Sequence, residues 1–352
     1  MMSALTRILA RALLIAPFLV GLPASAQNLF AQRLPINQLD VMAPSERVGG
    51  APGNLAPVQR QCLASTTQAS RRRIVDVAVQ EWGYFGFNVV DQTGPEPPRP
   101  AGPRPRRRTP WLNPGESERV AESIAGYWSI TPDGPWIIDR QNALWRGPDG
   151  IGARWRDPWS AAFISWVMCE SGLAASGKFA VAIAHHTYID QAIRERDSGS
   201  GAAAYRAFEV GETIIEPGDL LCSAWRHAYR SLDDRRRNIG EGVRSHCDIV
   251  VHIDPSGDRI LAIGGNVRGT VSLKLLYAPV VHKAGNAAEP LHETVGRGRS
   301  TAFAHLKLLA PSLNGPALLG TPTVRNVAAR PDERRTLESR LGIEVPAKLD
   351  ET

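Results

Sequence analysis

The sequence predicts an α+β fold in which helices come first and an antiparallel β-sheet follows. Three observations predict it. In the first half of the 352-residue chain, apolar residues recur at helical spacing. After about residue 217 they alternate with polar residues, as in strands that bury one face. Between the two halves, residues 158–167 are almost all apolar or small, which is typical of a helix buried on every side.

The first 26 residues have the pattern of an export signal. Arg7 and Arg11 precede an apolar run over residues 12–22, and Ala24 and Ala26 supply the small residues of a cleavage site. The apolar run is too short for a comfortable membrane span, and no Cys follows the cleavage site to carry a lipid. We therefore expect cleavage after Ala26, no membrane span in the mature chain, and a periplasmic or secreted location.

Residues 27–65 are rich in Pro, Gly, Asn and Gln without periodicity, which predicts an extended lead-in to a domain over residues 66–311. Within that domain, apolar spacing predicts helices over about 70–83 and 116–128. A Pro/Arg-rich insertion, residues 91–114, separates them and cannot build a core. It is either a basic arm for an anionic polymer or a solvated loop.

The central helix is predicted to begin sharply and to end at Gly172. Asp157 is a suitable N-cap, because its carboxylate can accept from backbone N–H groups of the first turn. Pro158 suits the first helical position, where a missing N–H costs little. Another helix is predicted from about residue 187 to 198.

Alternating patterns then predict the strands of the sheet, over residues 220–225, 247–253, 259–263, 270–277 and 303–309. The tail, residues 312–352, is predicted to hold one short polar helix over 332–341 and to be peripheral.

The net charge and the spacing of His and Cys residues limit the kinds of partner that the protein is expected to have. The formal charge of +6 comes mainly from Arg. Outside the cytoplasm it favours an anionic envelope surface over nucleic acid, although a merely solvated basic surface explains it as well. The His and Cys spacing fits no structural zinc site. We expect no metal and no cofactor, and the oligomeric state stays open.

Four cysteines in an oxidising compartment predict two disulfides. Cys222 and Cys247 lie on predicted neighbouring strands and are the favoured pair, which leaves Cys62 with Cys169. Buried free thiols are the alternative.

Three residues form a candidate catalytic site. Ser160 lies at the start of the central helix, His246 at the start of a strand and Asn266 at the end of the next strand. A hydroxyl nucleophile needs a base to take its proton, and the base needs a third group to hold its ring. We assign these roles to Ser160, His246 and Asn266 in that order. The competing interpretations are a helix cap for Ser160 and a structural role for His246.

Three further residues are candidates for substrate binding: Trp159, His185 and Asp219. Turn or packing chemistry is the alternative for His185 and Asp219.

The motifs around these residues resemble those of CHAP-type amidases, in the papain-like superfamily that also contains NlpC-type endopeptidases. Residues 159–166, Trp-Ser-Ala-Ala-Phe-Ile-Ser-Trp, resemble the family's Trp-Cys-Ala-Ala-Phe-Val-Ser-Trp signature. Residues 217–220, 245–251 and 263–266 resemble the segments that surround its catalytic His and its Glu-Gly-Asn motif. The likeness spans roughly residues 70–280. More narrowly, these segments and residues 184–189 resemble an uncharacterised bacterial domain-of-unknown-function family, number 2272.

The resemblance implies a papain-like fold and a hydrolase of amide or peptide bonds, acting on peptidoglycan. Two residues depart from the pattern. Ser160 replaces the nucleophilic Cys, and Gly264 replaces the Glu, which leaves Asn266 as the nearby polar residue. A thiol beside a His can exist as thiolate, whereas a hydroxyl must lose its proton during attack. The alternative function is therefore a catalytically inactive module of the same fold that binds peptidoglycan or another envelope polymer.

Overall fold

A mixed β-sheet lies at the centre of the protein. The structure, a computed structural model, describes residues 29–62, 71–95, 112–225, 228–281 and 291–347. The predicted export signal lies outside the described residues, as does most of the predicted 91–114 insertion. Within the described ranges the strands are β1 (Val48–Gly49), β2 (Ala56–Pro57), β3 (Val89–Gln92), β4 (Tyr205–Phe208), β5 (Leu220–Ala224), β6 (Ser245–Asp254), β7 (Arg259–Val267), β8 (Thr270–Tyr277) and β9 (Ala302–Leu308).

The main sheet has the strand order β3-β8-β7-β6-β5-β9-β4. The α+β class is as predicted, but the sheet is not purely antiparallel, because β3 from the N-terminal half pairs in parallel with β8. The other pairs in the main sheet are antiparallel. The sequence patterns missed β3 and β4 because each has four residues, too few to display a period.

The helices within the described ranges are α1 (Arg71–Tyr84), α2 (Pro114–Ser129), α3 (Gly134–Trp145), α4 (Ser160–Glu170), α5 (His186–Ser198), α6 (Leu232–Arg236), α7 (Pro322–Ala328) and α8 (Pro331–Leu341). Helix α3 is not among the predicted helices, because its sequence is rich in Trp and begins with Gly-Pro. It nevertheless buries Ile137, Ile138, Gln141 and Trp145, which recur at helical spacing.

Helices α1 and α4 pack on one face of the sheet. Every residue of α4 is buried, as its apolar sequence predicted. A second apolar cluster covers the opposite face, where Val250, Ile260 and Leu276 of the sheet meet Ile215 and Val295 from the connecting segments. The sheet is therefore buried on both faces, and α4 is held rigidly between strands and helices.

The lead-in is anchored at the C-terminal end of α4. Arg47 Nε donates to Glu170 Oε1 at 3.0 Å, and both side chains are buried. Next to this ion pair, Cys62 and Cys169 form a disulfide. The second disulfide joins Cys222 of β5 to Cys247 of β6. Both predicted disulfides are confirmed.

The C-terminal helices pack on the rest of the domain. Leu318, Leu337 and Leu341 are fully buried in the main core, and α7 packs against α1. The prediction that the tail is peripheral was therefore wrong. In α8 the few apolar residues are separated by charged residues, so the sequence pattern gave little indication that the helix is buried on one side.

No helix within the described ranges is both long enough and apolar enough to span a bilayer.

Candidate functional site

A cavity of about 820 Å³ lies between the helical part of the molecule and the ends of the central strands. Its helical side comes from α2, α3 and residues 151–159. Its sheet side comes from the end of β5, the start of β6 and the β7–β8 turn. Ser160, the first residue of α4, lines the cavity, together with His185, His246 and Asn266. Folding therefore brings residues more than 100 positions apart in the chain to one site.

Ser160 lies at the N-terminus of α4, and the N-cap is Trp159, not Asp157. The predicted cap was wrong because the helix begins at Ser160, which leaves the Asp157 carboxylate 3.6 Å from Arg140 instead. Trp159 has no side-chain cap bond, and the first helical bond runs from Phe163 N–H to Trp159 O. Backbone N–H groups of the first turn therefore remain available to an anion near the Ser160 hydroxyl.

Trp159, predicted to bind substrate, is almost wholly buried. Its indole packs against the rings of Phe85 and Tyr127, and the residue borders the cavity. It fixes the chain just before Ser160 and leaves little surface for a ligand.

The Ser160 hydroxyl contacts His185, a pairing that the sequence did not indicate. Ser160 Oγ lies 2.7 Å from His185 Nε2. On the other side of the ring, the backbone N–H of Cys247 donates to Nδ1 at 3.3 Å, and the Tyr188 hydroxyl also contacts Nδ1. A backbone N–H can only donate, so Nδ1 must be an acceptor and the ring proton lies on Nε2. His185 therefore donates to Ser160 Oγ.

Burial keeps His185 neutral. Desolvation is the largest cause that lowers the pKa of its imidazole well below the ordinary value, and the neighbouring His246 lowers it further. A neutral ring whose proton already points at Ser160 cannot take the hydroxyl proton in this state. His185 orients the hydroxyl and does not act as its base here.

His246 is held differently, by a carboxylate on its own strand. His246 Nε2 lies 2.9 Å from Asp248 Oδ1, and Lys274 Nζ lies 2.8 Å from Asp248 Oδ2. Residues two apart on a strand face the same side, which brings this His and Asp together. The Nδ1 atom points away from Asp248, and the partly exposed ring lines the cavity, 5.4 Å from the His185 ring between centroids.

Asp248 is ionised in the folded protein. Burial raises the pKa of its carboxyl, but attraction to His246 and Lys274 outweighs burial and holds that pKa well below the usual range. When the His246 ring is neutral, its Nε2 proton points to the Asp248 carboxylate and Nδ1 carries no proton.

Gly264 makes room for this pair. A Cβ at position 264 would lie 2.0 Å from Asp248 Oδ1 and 2.8 Å from His246 Nε2. The space that the resemblance assigns to a Glu side chain is thus occupied by Asp248, reaching across from β6.

Asn266 lines the same cavity but does not hold the His246 ring. The pairing of β7 with β8 shifts register between Gly264 and Val267, and Asn266 adopts a left-handed conformation with φ of 56°. The contact with the His246 ring that was predicted for Asn266 is made by Asp248 in the structure. A His-x-Asp spacing on a predicted strand was the signal that could have found it.

Asp219, the last predicted binding residue, is fully buried elsewhere. Its carboxylate pairs with Arg71, contacts His305 Nε2 at 2.8 Å and accepts from the backbone N–H of Leu308 at 3.0 Å. The placement predicted for Asp219 is therefore corrected: it joins α1, β5 and β9 and does not line the cavity.

All four cysteines are in disulfides, so no thiol is present to act as a nucleophile. Among the described residues, no group of three or more His, Cys, Asp or Glu side chains could hold a metal ion.

Comparison with protein families gives one match. The model of a family described as an uncharacterised protein conserved in bacteria (DUF2272) matches residues 119–308, which include α4, both site histidines and the central strands. Comparison with curated proteins found no match, and neither did comparison with solved structures. The matched segment covers more than half of the 352 residues, so the chain belongs to this bacterial family of uncharacterised proteins, DUF2272.

Proposed function

We propose that the cavity is the active site of an exported hydrolase that cleaves amide or peptide bonds, in peptidoglycan stem peptides. The single observation that carries the proposal is that one cavity is lined both by a hydroxyl at a helix N-terminus, Ser160, and by an imidazole, His246, whose Nε2 contacts a buried carboxylate. The proposed fold relationship is to the papain-like superfamily. It is supported by a buried helix that presents the nucleophile and packs against strands that carry the base.

In the proposed reaction, Ser160 Oγ attacks the carbonyl carbon of the scissile amide. His246 Nδ1 takes the hydroxyl proton, directly or through one water, and returns it to the leaving amine. Asp248 stabilises the imidazolium that forms. Backbone N–H groups at the start of α4 stabilise the oxyanion. Water then hydrolyses the acyl-enzyme, with His246 again accepting the proton.

His185 has a separate part in this scheme. Its Nε2–H donates to Ser160 Oγ at 2.7 Å and so fixes the direction of the hydroxyl. Attack requires this hydrogen bond to lengthen as the oxygen moves towards the carbonyl carbon. A substitution at His185 is therefore expected to change kcat more than the binding of substrate.

The test combines a serine-directed fluorophosphonate probe with digestion of purified peptidoglycan. The wild-type protein is expected to label and to release peptide fragments, and Ser160→Ala to do neither. Ser339→Ala is the matched control, because Ser339 is an exposed helical serine outside the cavity. Absence of labelling, or fragment release that persists in Ser160→Ala, would refute the proposal.

A second candidate function is a catalytically inactive module that binds envelope polymer through the same cavity. The contact between Ser160 and His185 favours it, since His185 donates to the hydroxyl instead of accepting its proton. This candidate predicts retention on peptidoglycan that survives both Ser160→Ala and His246→Ala, without turnover in any variant. Loss of fragment release in both variants would exclude it.

A further inference from the structure

Several cationic side chains line the cavity. Arg154, Arg156 and Arg244 line it with exposed side chains, and Lys274 lines it while paired with Asp248. Among the described lining residues none is Asp or Glu. In the part of the chain that the structure describes, no carboxylate lies within ion-pair distance of the three named arginines. A cavity with low-dielectric walls and one sign of charge concentrates ligands of the opposite sign.

Buried polar atoms on the same walls lack hydrogen-bond partners among the described residues. These atoms are Gln92 Oε1, Trp155 Nε1 and Ser245 Oγ, and all three residues line the cavity. Burying a polar atom without a partner is costly. Each of these atoms has almost no accessible surface, so a ligand reaches it only when its side chain turns towards the cavity. Gln92 Oε1 is an acceptor and needs a donor. Amide N–H groups can supply that donor, whereas the backbone of a phosphate polymer has none.

The remaining wall is apolar. Val120, Ile124, Trp145 and Ile151 line the helical side of the cavity. The volume of about 820 Å³ falls within the usual range for sites that enclose small ligands. These dimensions suit a few residues of an extended chain that carries both apolar and charged side chains.

We propose that the cavity binds a short acidic peptide, with its carboxylates on Arg154, Arg156 and Arg244 and a backbone N–H on Gln92 Oε1. Arginine suits this role because its planar guanidinium donates two parallel hydrogen bonds to a carboxylate. The inference rests on the proposed function for its choice of a peptide substrate. It concerns binding alone and does not require turnover.

The experiment measures peptide affinity by isothermal titration calorimetry in the Ser160→Ala protein, so that no peptide is consumed. The probes are the tetrapeptide Ala-Glu-Ala-Glu and its uncharged analogue Ala-Gln-Ala-Gln. We expect the acidic peptide to bind at least about tenfold more tightly at low salt. The preference is expected to shrink as salt screens the charges.

Two sets of variants localise the effect. The double substitution Arg154→Gln and Arg156→Gln is expected to abolish the preference for the acidic peptide. Arg194→Gln is the matched control, because Arg194 is an exposed arginine on α5 outside the cavity, and it should keep the full preference. Gln92→Leu is expected to weaken the binding of both peptides by a similar factor, since it removes the hydrogen-bond acceptor and leaves the arginine charges unchanged.

Equal affinity for the two peptides, or a preference that survives the double arginine variant, overturns the inference. Tight binding of inorganic polyphosphate together with no binding of either peptide also overturns it, and would assign the site to a phosphate polymer. Acidic-peptide binding in a protein that does not react with the fluorophosphonate probe would uphold this inference and refute the hydrolase.

Discussion

Two histidines face one cavity, and their hydrogen-bond partners give them different proton positions. His185 accepts from a backbone N–H through Nδ1, so its proton lies on Nε2 and points at Ser160. His246 contacts the Asp248 carboxylate through Nε2, so in the neutral ring Nδ1 carries no proton. The partners around each ring therefore decide which imidazole can act as a base.

His185 makes the stability of the protein depend on pH. The charged and titratable groups near its ring are His246, Asp248, Lys274 and His186, and burial is the largest cause that lowers its pKa. In the unfolded chain His185 takes up a proton near pH 6.5, whereas in the folded protein it stays neutral. The contribution of neutral His185 to the free energy of unfolding is therefore present above about pH 6.5 and is lost as the pH falls. Between about pH 7.5 and about pH 5.5, protonation of His185 in the unfolded chain lowers the free energy of unfolding by roughly 1.4 kcal/mol.

The measurement is urea unfolding of wild-type protein and His185→Gln at both pH values. The variant is expected to lose less stability on acidification, by about that amount. The other titrating groups are common to both proteins and cancel in the difference. Identical pH dependence in the two proteins would show that His185 titrates in the folded protein as it does in the unfolded chain.

Sequence reasoning identified most of the polar residues of this site but not their pairing. Ser160, His246 and Asn266 were chosen from three distant segments, and all three line one cavity. Their catalytic roles stay predictions. The contact of Ser160 with His185 could not be predicted, because it depends on how the segment before α5 packs against β6. Asp248 was missed although its spacing from His246 was visible in the sequence.

At the scale of elements, two adjacent glycines set how closely β7 approaches its neighbours. A Cβ at Gly264 would lie 2.0 Å from Asp248 Oδ1, and a Cβ at Gly265 would lie 2.6 Å from the Cβ of Phe163. The first glycine leaves space for the ionic contacts of β6, and the second lets α4 pack directly on the sheet. The position of Ser160 at the start of α4 thus depends on a small residue in β7.

Substitution of either glycine by alanine is expected to destabilise the fold by about 1–3 kcal/mol, because the added methyl group overpacks a filled region. Gly264→Ala should also weaken the contact between Asp248 and His246. Guanidinium unfolding measures the first effect, and the rate of fluorophosphonate labelling measures the second.

Gly94→Ala is the control for both variants. No atom lies within 4 Å of the position that its Cβ would take, so the change in stability should stay within about 0.5 kcal/mol. If Gly264→Ala were as stable as this control, the close approach of β7 to Asp248 would be wrong.

At the scale of the whole molecule, segments outside the central helix and sheet complete the core. The lead-in is fixed to the end of α4 by the Arg47–Glu170 ion pair and the Cys62–Cys169 disulfide. The C-terminal helices add Leu318 and Leu337 to the same apolar cluster as α1 and α4. We therefore expect these segments to unfold together with the domain.

Leu337→Ala tests this coupling. The side chain is fully buried, so its truncation should cost about 2–5 kcal/mol. All nine tryptophans precede the tail, so tryptophan fluorescence reports the unfolding of the rest of the domain. Leu309→Ala is the control, since Leu309 is 45% exposed and its loss should change stability by less than about 0.5 kcal/mol. An unchanged fluorescence transition in Leu337→Ala would mean that the tail folds separately.

The sequence by itself determined the features whose signals are local: the α+β class, the buried helix α4 and most strands of the sheet. Neighbouring strands also indicated the Cys222–Cys247 disulfide, and elimination then left Cys62 with Cys169. Only the tertiary structure decided that His185 holds Ser160, that Asp248 holds His246, that β3 pairs in parallel and that the tail enters the core. The physical reason is that periodicity reports which face of an element is buried. Contacts between side chains from distant segments depend on how those faces are packed together.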